Sequence, residues 1–167
     1  MVVMIAAILA GTAVPSMRGL IRSTNLSSAT SDLFASLTMA RSEAVKRNSR
    51  VVVCKSSNGV TCVASGGWEQ GWIVFHDSDN SGTREAGEEL VQHVPAPSGD
   101  LRLSGNLNVS RYVSYSGAGT AKLLSGAFQA GTITVCNVSP GAVEARQIIL
   151  NSSGRPRVQR TQVTSCA

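Results

Sequence analysis

The first fourteen residues, MVVMIAAILAGTAV, are apolar and carry no charge. A helix of that length is too short to cross a bilayer, which takes about 20 residues. No Lys or Arg precedes the run, so the basic start of a secretory signal is missing. Two readings remain, an atypical signal peptide or the inside of a longer apolar helix that begins upstream. The second is preferred because the helical pattern continues. Pro15 is expected to kink or interrupt the helix, since it lacks an N–H and crowds the preceding turn. Beyond it Leu26, Leu33, Leu37, Ala40 and Ala44 recur at helical steps, while Arg41, Glu43, Lys46 and Arg47 fall mainly off that stripe. The spacing predicts one long, bent helix to about Asn48. Its first part suits lipid or a helical bundle, and its second part suits packing on a sheet.

At Val51-Val52-Val53 the pattern changes to a β-type run. Strands are predicted over Arg50–Lys55, Gly71–His76, Glu89–Val94, Leu101–Leu103, Tyr112–Tyr115, Thr132–Asn137, Arg146–Leu150 and Arg157–Gln162. Gly66-Gly67, Gly117-Ala118-Gly119 and Ser152-Ser153-Gly154 punctuate them. No strand–helix–strand alternation appears, which argues against a parallel sheet. The expected class is α+β, a long N-terminal helix packed on antiparallel β-sheets. Residues 95–110 and 117–131 are read as the mobile loops. The chain divides into 1–23, the membrane part of the helix, and 24–167, a β-rich domain that includes the amphipathic half of the helix.

Composition sharpens this picture. Among 167 residues only two Trp, two Tyr and three Phe occur, so the core must be built from Val, Ile, Leu and Ala. The net charge of +5 is unevenly placed. Residues 1–55 hold seven basic and two acidic side chains, and residues 77–89 hold five acidic and one basic. From Gly141 onward there are four Arg and one Glu. That asymmetry suits an anionic partner at the basic parts, or contacts with a neighbouring subunit.

The four cysteines, Cys54, Cys62, Cys136 and Cys166, include no CxxC pair, and only two His are present, so zinc spacing is absent. An even count behind a membrane-type segment favours two disulfides in an oxidising compartment. The preferred connectivity is Cys54–Cys62, closing a loop around Asn58-Gly59, and Cys136–Cys166, tying the C-terminus to a strand. Free buried thiols are the alternative.

Four stretches then resemble the family of type IV minor pilins and type II secretion minor pseudopilins that includes FimT and GspH. They are the opening MVVMIAAILAGTAVPS, the helix end LTMARSEAVKRNSRVVVC, the segment GGWEQGWIVFHDSDNSGTREAGEEL and the closing IILNSSGRPRV. The resemblance implies a pilin-like fold and a structural, non-enzymatic subunit without cofactors. It implies residence in the inner membrane as a single-pass protein with a periplasmic domain, then assembly with other pilins or pseudopilins into a filament. The FimT-like branch, tied to type IV pilus biogenesis and DNA uptake, is the nearer match; the alternative is a GspH-like pseudopilin of type II secretion. The leader, cleavage site and helix-start glutamate of such proteins are expected upstream of Met1, so prepilin processing and N-methylation concern residues outside this sequence.

Four candidate sites follow. Arg155, Arg157 and Arg160 lie in a Gly-Arg-x-Arg tail that resembles the tail of DNA-binding FimT proteins. In an extended segment Arg155 and Arg157 share a face. No aromatic residue accompanies them, so the expectation is non-specific contact with double-stranded DNA. The competing reading is a solvated or subunit-facing basic edge. Asp77, Asp79, Ser81, Gly82 and Glu88 fit the spacing of a calcium loop, but a strand precedes them and a polar hairpin turn is preferred, so no metal is expected. His76 and His93 raise a hydrolase, yet neither G-x-S-x-G nor H-E-x-x-H occurs, and no catalytic residue is assigned. Trp68 and Trp72 are either an exposed patch or, as preferred, part of the core.

Overall fold

The computed structural model describes the backbone of residues 2–166 and the side chains from Met17 onward, Arg18 excepted. A single helix, α1, runs Val2–Arg47 and continues through Pro15, so the expected interruption there does not occur. Its stripe of Leu26, Ala29, Leu33, Leu37, Ala40 and Ala44 is buried. The helix ends where Asn48 turns to φ 50. Ser49 N–H donates to Ala44 O and Asn48 N–H to Val45 O, both at 3.2 Å, which is the Schellman pattern of a left-handed cap. Arg47 then joins the helix end to the sheet by donating to Glu43 and to both oxygens of Glu89. Those hydrogen bonds hold both carboxyls below their ordinary pKa.

The eight strands are β1 (Val51–Lys55), β2 (Gly71–His76), β3 (Leu90–Pro95), β4 (Leu101–Gly105), β5 (Tyr112–Tyr115), β6 (Gly131–Asn137), β7 (Val143–Leu150) and β8 (Pro156–Val163). They form two antiparallel sheets of order β3-β2-β1-β5 and β4-β6-β7-β8. β1 and most of β2 are buried on both faces, which explains why VVVC and WIVF read as continuous apolar runs. Val51, Val53, Trp72 and Val74 join the core beneath α1. Val52, Cys54, Ile73 and Phe75 form a second cluster on the opposite face, packed against Cys62 and Tyr112.

Disulfides link Cys54 to Cys62 and Cys136 to Cys166. The first folds the 55–62 loop back on β1. The second draws the C-terminus onto β6, where Ala145, Val143 and Val163 pack around it.

The two segments read as mobile loops are organised instead. Within 95–110 lie β4 and a 3-10 turn, Leu107–Val109. Within 117–131 a small hairpin pairs Lys122 with Phe128, and its Ala121 bridges to Tyr115 of β5. Gln129 is fully buried. Its Oε1 accepts the Ser114 amide, and its Nε2 donates to the carbonyls of Asn108 and Tyr112. The base of this hairpin, through Ala121, Lys122 and Gln129, covers the outer edge of β5.

Among the described residues no helix is long and apolar enough to cross a membrane. Residues 1–14, whose side chains carried that expectation, lie outside the described side chains.

Candidate functional site

The tail arginines sit on and beside β8, an edge strand paired only through β7. Arg155 occupies the turn before β8, and Arg155, Arg157 and Arg160 are all exposed. None of the three makes an ion pair among the described residues. The turn approaches the body at Gly154, which has φ 76 and lies against the backbone at Gly119 and Ala121, where a Cβ has no room. Alternation along β8 then separates the arginines. Arg157 pairs across from Ile149, on the face of Ala145 and away from the main core. Arg160 pairs across from Arg146, on the face of buried Ile148 and Leu150, toward α1. Arg146 itself donates to Ser27 Oγ on the helix at 2.9 Å. The structure therefore brings Arg155 and Arg157 to one end of β8 and turns Arg160 to the other side of the sheet.

The acidic turn is capped by its own backbone. Asp77, Asp79 and Glu88 each bring an oxygen within 4.8 Å of the others. Asp77 Oδ1 accepts the Ser81 amide at 2.9 Å and Oδ2 the Gly82 amide at 3.1 Å. Asp79 Oδ1 also accepts Ser81 N–H. Glu88 accepts the amides of Ser78 and Glu85. This is the Asx-turn chemistry of a polar hairpin, entered from β2 rather than from a helix. Arg50 braces it by donating from Nε to Asn80 Oδ1 at 2.9 Å, and its Nη1 reaches Ser114 Oγ on β5. The Arg50 guanidinium stays 3.9 Å from Asp77 Oδ2, beyond hydrogen-bond range. Burial of Asp77 therefore prevails, against the amides of Gly82 and Ser81, and pushes its pKa up to about 6.

His76 Nε2 lies 2.7 Å from Ser49 Oγ. A nucleophile–base pair of that kind needs a third group to orient the imidazole. Its neighbour Asp77 spends its oxygens on Ser81 and Gly82 instead. His93 is exposed and stacks over Gly59, whose φ of 71 and lack of a side chain leave space for the ring. The two tryptophans are wholly buried. Trp68 Nε1 donates to Val109 O at 3.0 Å and Trp72 Nε1 to Ser36 Oγ at 2.9 Å, which satisfies both indoles inside the core.

Sequence reasoning passed over Glu69. In the 3-10 turn Trp68–Gln70 it accepts the Leu103 amide and a proton of Arg102, joining β4 to the first sheet. The only sequence signal was its place within Trp-x-x-Gly-Trp, and nothing local identifies its partner 34 residues away.

Comparison with known proteins bears on the whole arrangement. Residues 29–154 match the model of a family described as type II transport protein GspH. Two crystal structures of the type IV minor pilin FimU from Pseudomonas aeruginosa strain PAO1 are similar in fold. One has a TM-score of 0.59 at 17% identity and covers 89% of this chain and 99% of its own. The other has a TM-score of 0.56 at 18% identity and covers 85% of this chain and 100% of its own. No curated protein sequence matches the chain.

Proposed function

This chain belongs to the GspH family of type II transport proteins, and from that premise we propose that it is a FimT-like minor pilin, a structural subunit of type IV pilus biogenesis. The observation that carries the reading lies on α1. Its stripe from Leu26 to Ala44 is covered by the sheets, yet Met17, Leu20 and Ile21, just before it, are 63%, 66% and 55% exposed. An apolar helix that projects past its own domain calls for lipid or neighbouring helices. Residues 1–23 serve as the membrane anchor before assembly, and 24–167 stand on the periplasmic side. Apolar helices then leave lipid to pack in a filament core.

Two measurements on the full chain test this. Fractionation should place it in the membrane. Co-purification with co-expressed pilins should be lost when Leu20 and Ile21 are both replaced by Asp. A freely soluble chain, or capture that survives both substitutions, refutes the reading.

The finer assignment rests on the tail. Arg155, Arg157 and Arg160 are exposed on a free sheet edge without ion-pair partners among the described residues. Arg155 and Arg157, on one side of the sheet, suit non-specific contact with phosphates of double-stranded DNA during uptake, and Arg160 on the other side contributes less. The alternative is a GspH-like pseudopilin of type II secretion, for which the same edge would face another subunit. Gel shifts with the full chain separate the two, since a pseudopilin of that kind gives no salt-sensitive shift.

A further inference from the structure

A second concentration of positive charge lies away from the tail. Where β1 and the start of β5 meet β4 of the other sheet, Lys55, Arg102 and Arg111 line one open cleft of about 620 Å³, with Ser104 and Gly66 beside them. Lys55 is only 3% exposed. Its Nζ donates to the carbonyls of Ala64 at 3.1 Å and Gly66 at 2.6 Å, which uses two of its three protons. The backbone carbonyl of Arg111 accepts the Lys55 amide at 3.4 Å, so the two residues face each other across the β1–β5 pair, and both line the cleft. Arg102 gives Nη1 to Glu69 at 3.0 Å, while its Nε is buried without a partner. Glu69, the partner of Arg102, has its other oxygen held by Leu103 N–H, and none of the residues lining the cleft is acidic.

Three cations thus share one acid. Burial, and then the field of Arg111, hold the Lys55 ammonium below its ordinary pKa against the opposing pull of Glu69, as expected where positive charge is under-compensated. A buried ammonium flanked by guanidiniums gains most from a ligand with several acceptor oxygens, because charge-assisted hydrogen bonds strengthen as water is excluded.

We propose that this cleft binds an oxyanion, a carboxylate or a phosphate, between Lys55, Arg102 and Arg111. The site is independent of the tail arginines. A carboxylate source is at hand in the chain's own exposed acidic loop. Asp79 and Glu85 of a second copy present exposed side chains of the required charge, and such a contact is head-to-tail, the kind that builds filaments.

The test uses the full chain in a neutral detergent, with two probes at constant ionic strength. One is inorganic phosphate exchanged for chloride, and the other is a peptide of residues 77–89. A ligand that binds only the folded state raises Tm. The expected result is a rise in Tm with at least one probe, lost in Arg111→Gln and kept when Arg155, Arg157 and Arg160 are all Gln. Arg111 is exposed, so its replacement leaves the fold intact. A rise with phosphate alone assigns a phosphate ligand, and a rise with the peptide alone assigns a subunit carboxylate. No rise with either probe, or an equal rise in Arg111→Gln, overturns the proposal.

Discussion

Glu69 Oε2 accepts the backbone amide of Leu103 at 2.9 Å, across the junction between the two sheets. β4 is an edge strand of its sheet, so without this contact the outward N–H of Leu103 would lack an acceptor from the protein. One carboxylate thereby closes an edge and, through Arg102, fastens a neighbouring side chain.

Replacing Glu69 with Ala should cost about 1–3 kcal/mol, because the Leu103 amide loses its acceptor and Arg102 its partner. Chemical denaturation of the variant against the wild type checks this. A change within error would mean that water replaces the carboxylate without loss.

The pH dependence of stability should carry the mark of Asp77. Burial pushes its carboxyl up to about 6 in the fold, against an ordinary Asp value of about 4. Between those values the folded state binds more protons than the unfolded chain, so stability falls as pH rises through the window. The stabilisation is complete below about 4 and is lost above about 6, with an amplitude on the order of 2–3 kcal/mol. Denaturation midpoints across that range should decline with pH in the wild type and flatten in Asp77→Asn. A slope that persists in the variant assigns the effect to another group. Glu43 and Glu89, held low by Arg47, act in the opposite sense and only at more acidic pH.

The two disulfides should differ in worth. Cys136–Cys166 spans 30 residues and Cys54–Cys62 only 8. On the chain-entropy account their removal costs roughly 4 and 2–3 kcal/mol respectively. Paired Cys→Ser replacements followed by thermal melting rank them. Loss of Cys136–Cys166 should also increase proteolysis after β8, since the bond and the Ser139–Cys166 bridge hold the terminus.

The tail arginines should not act equally on DNA. Arg157 faces away from α1 and lies near Arg155, whereas Arg160 faces the side of Arg146 and the helix. Gel shifts over a salt series should show Arg155→Gln and Arg157→Gln each lowering the slope of log affinity against log salt by about 1. Arg160→Gln should leave it nearly unchanged. Equal losses at all three positions would mean that DNA wraps the strand edge.

Much of the fold is local and therefore readable. The stripe from Leu26 to Ala44 has helical spacing, and its burial follows from that spacing. The strands begin and end within a few residues of their β-branched runs, as at Gly71–His76 and Tyr112–Tyr115. β7 starts earlier than its apolar pattern, at Val143, because pairing with Val163 of β8 extends it. The separation of Arg157 from Arg160 also follows from the two-residue period once β8 is placed. The hairpin over 117–131 was not readable, since Gln129 acts on Ser114, Asn108 and Tyr112, all outside its own segment.

By itself the sequence determined an apolar helix that becomes two-faced, eight β segments with their turns, and a tail rich in arginine. These depend on neighbours three or four residues apart along a helix, or two apart along a strand. Only the tertiary structure decided that β1 lies between β2 and β5, that Glu69 meets Leu103, and that Lys55 is buried beside Arg111 and Arg102. Each of those is a meeting of distant segments, selected by how the two sheets close over one helix. No local period encodes such a meeting, because its energy exists only once the chain has folded.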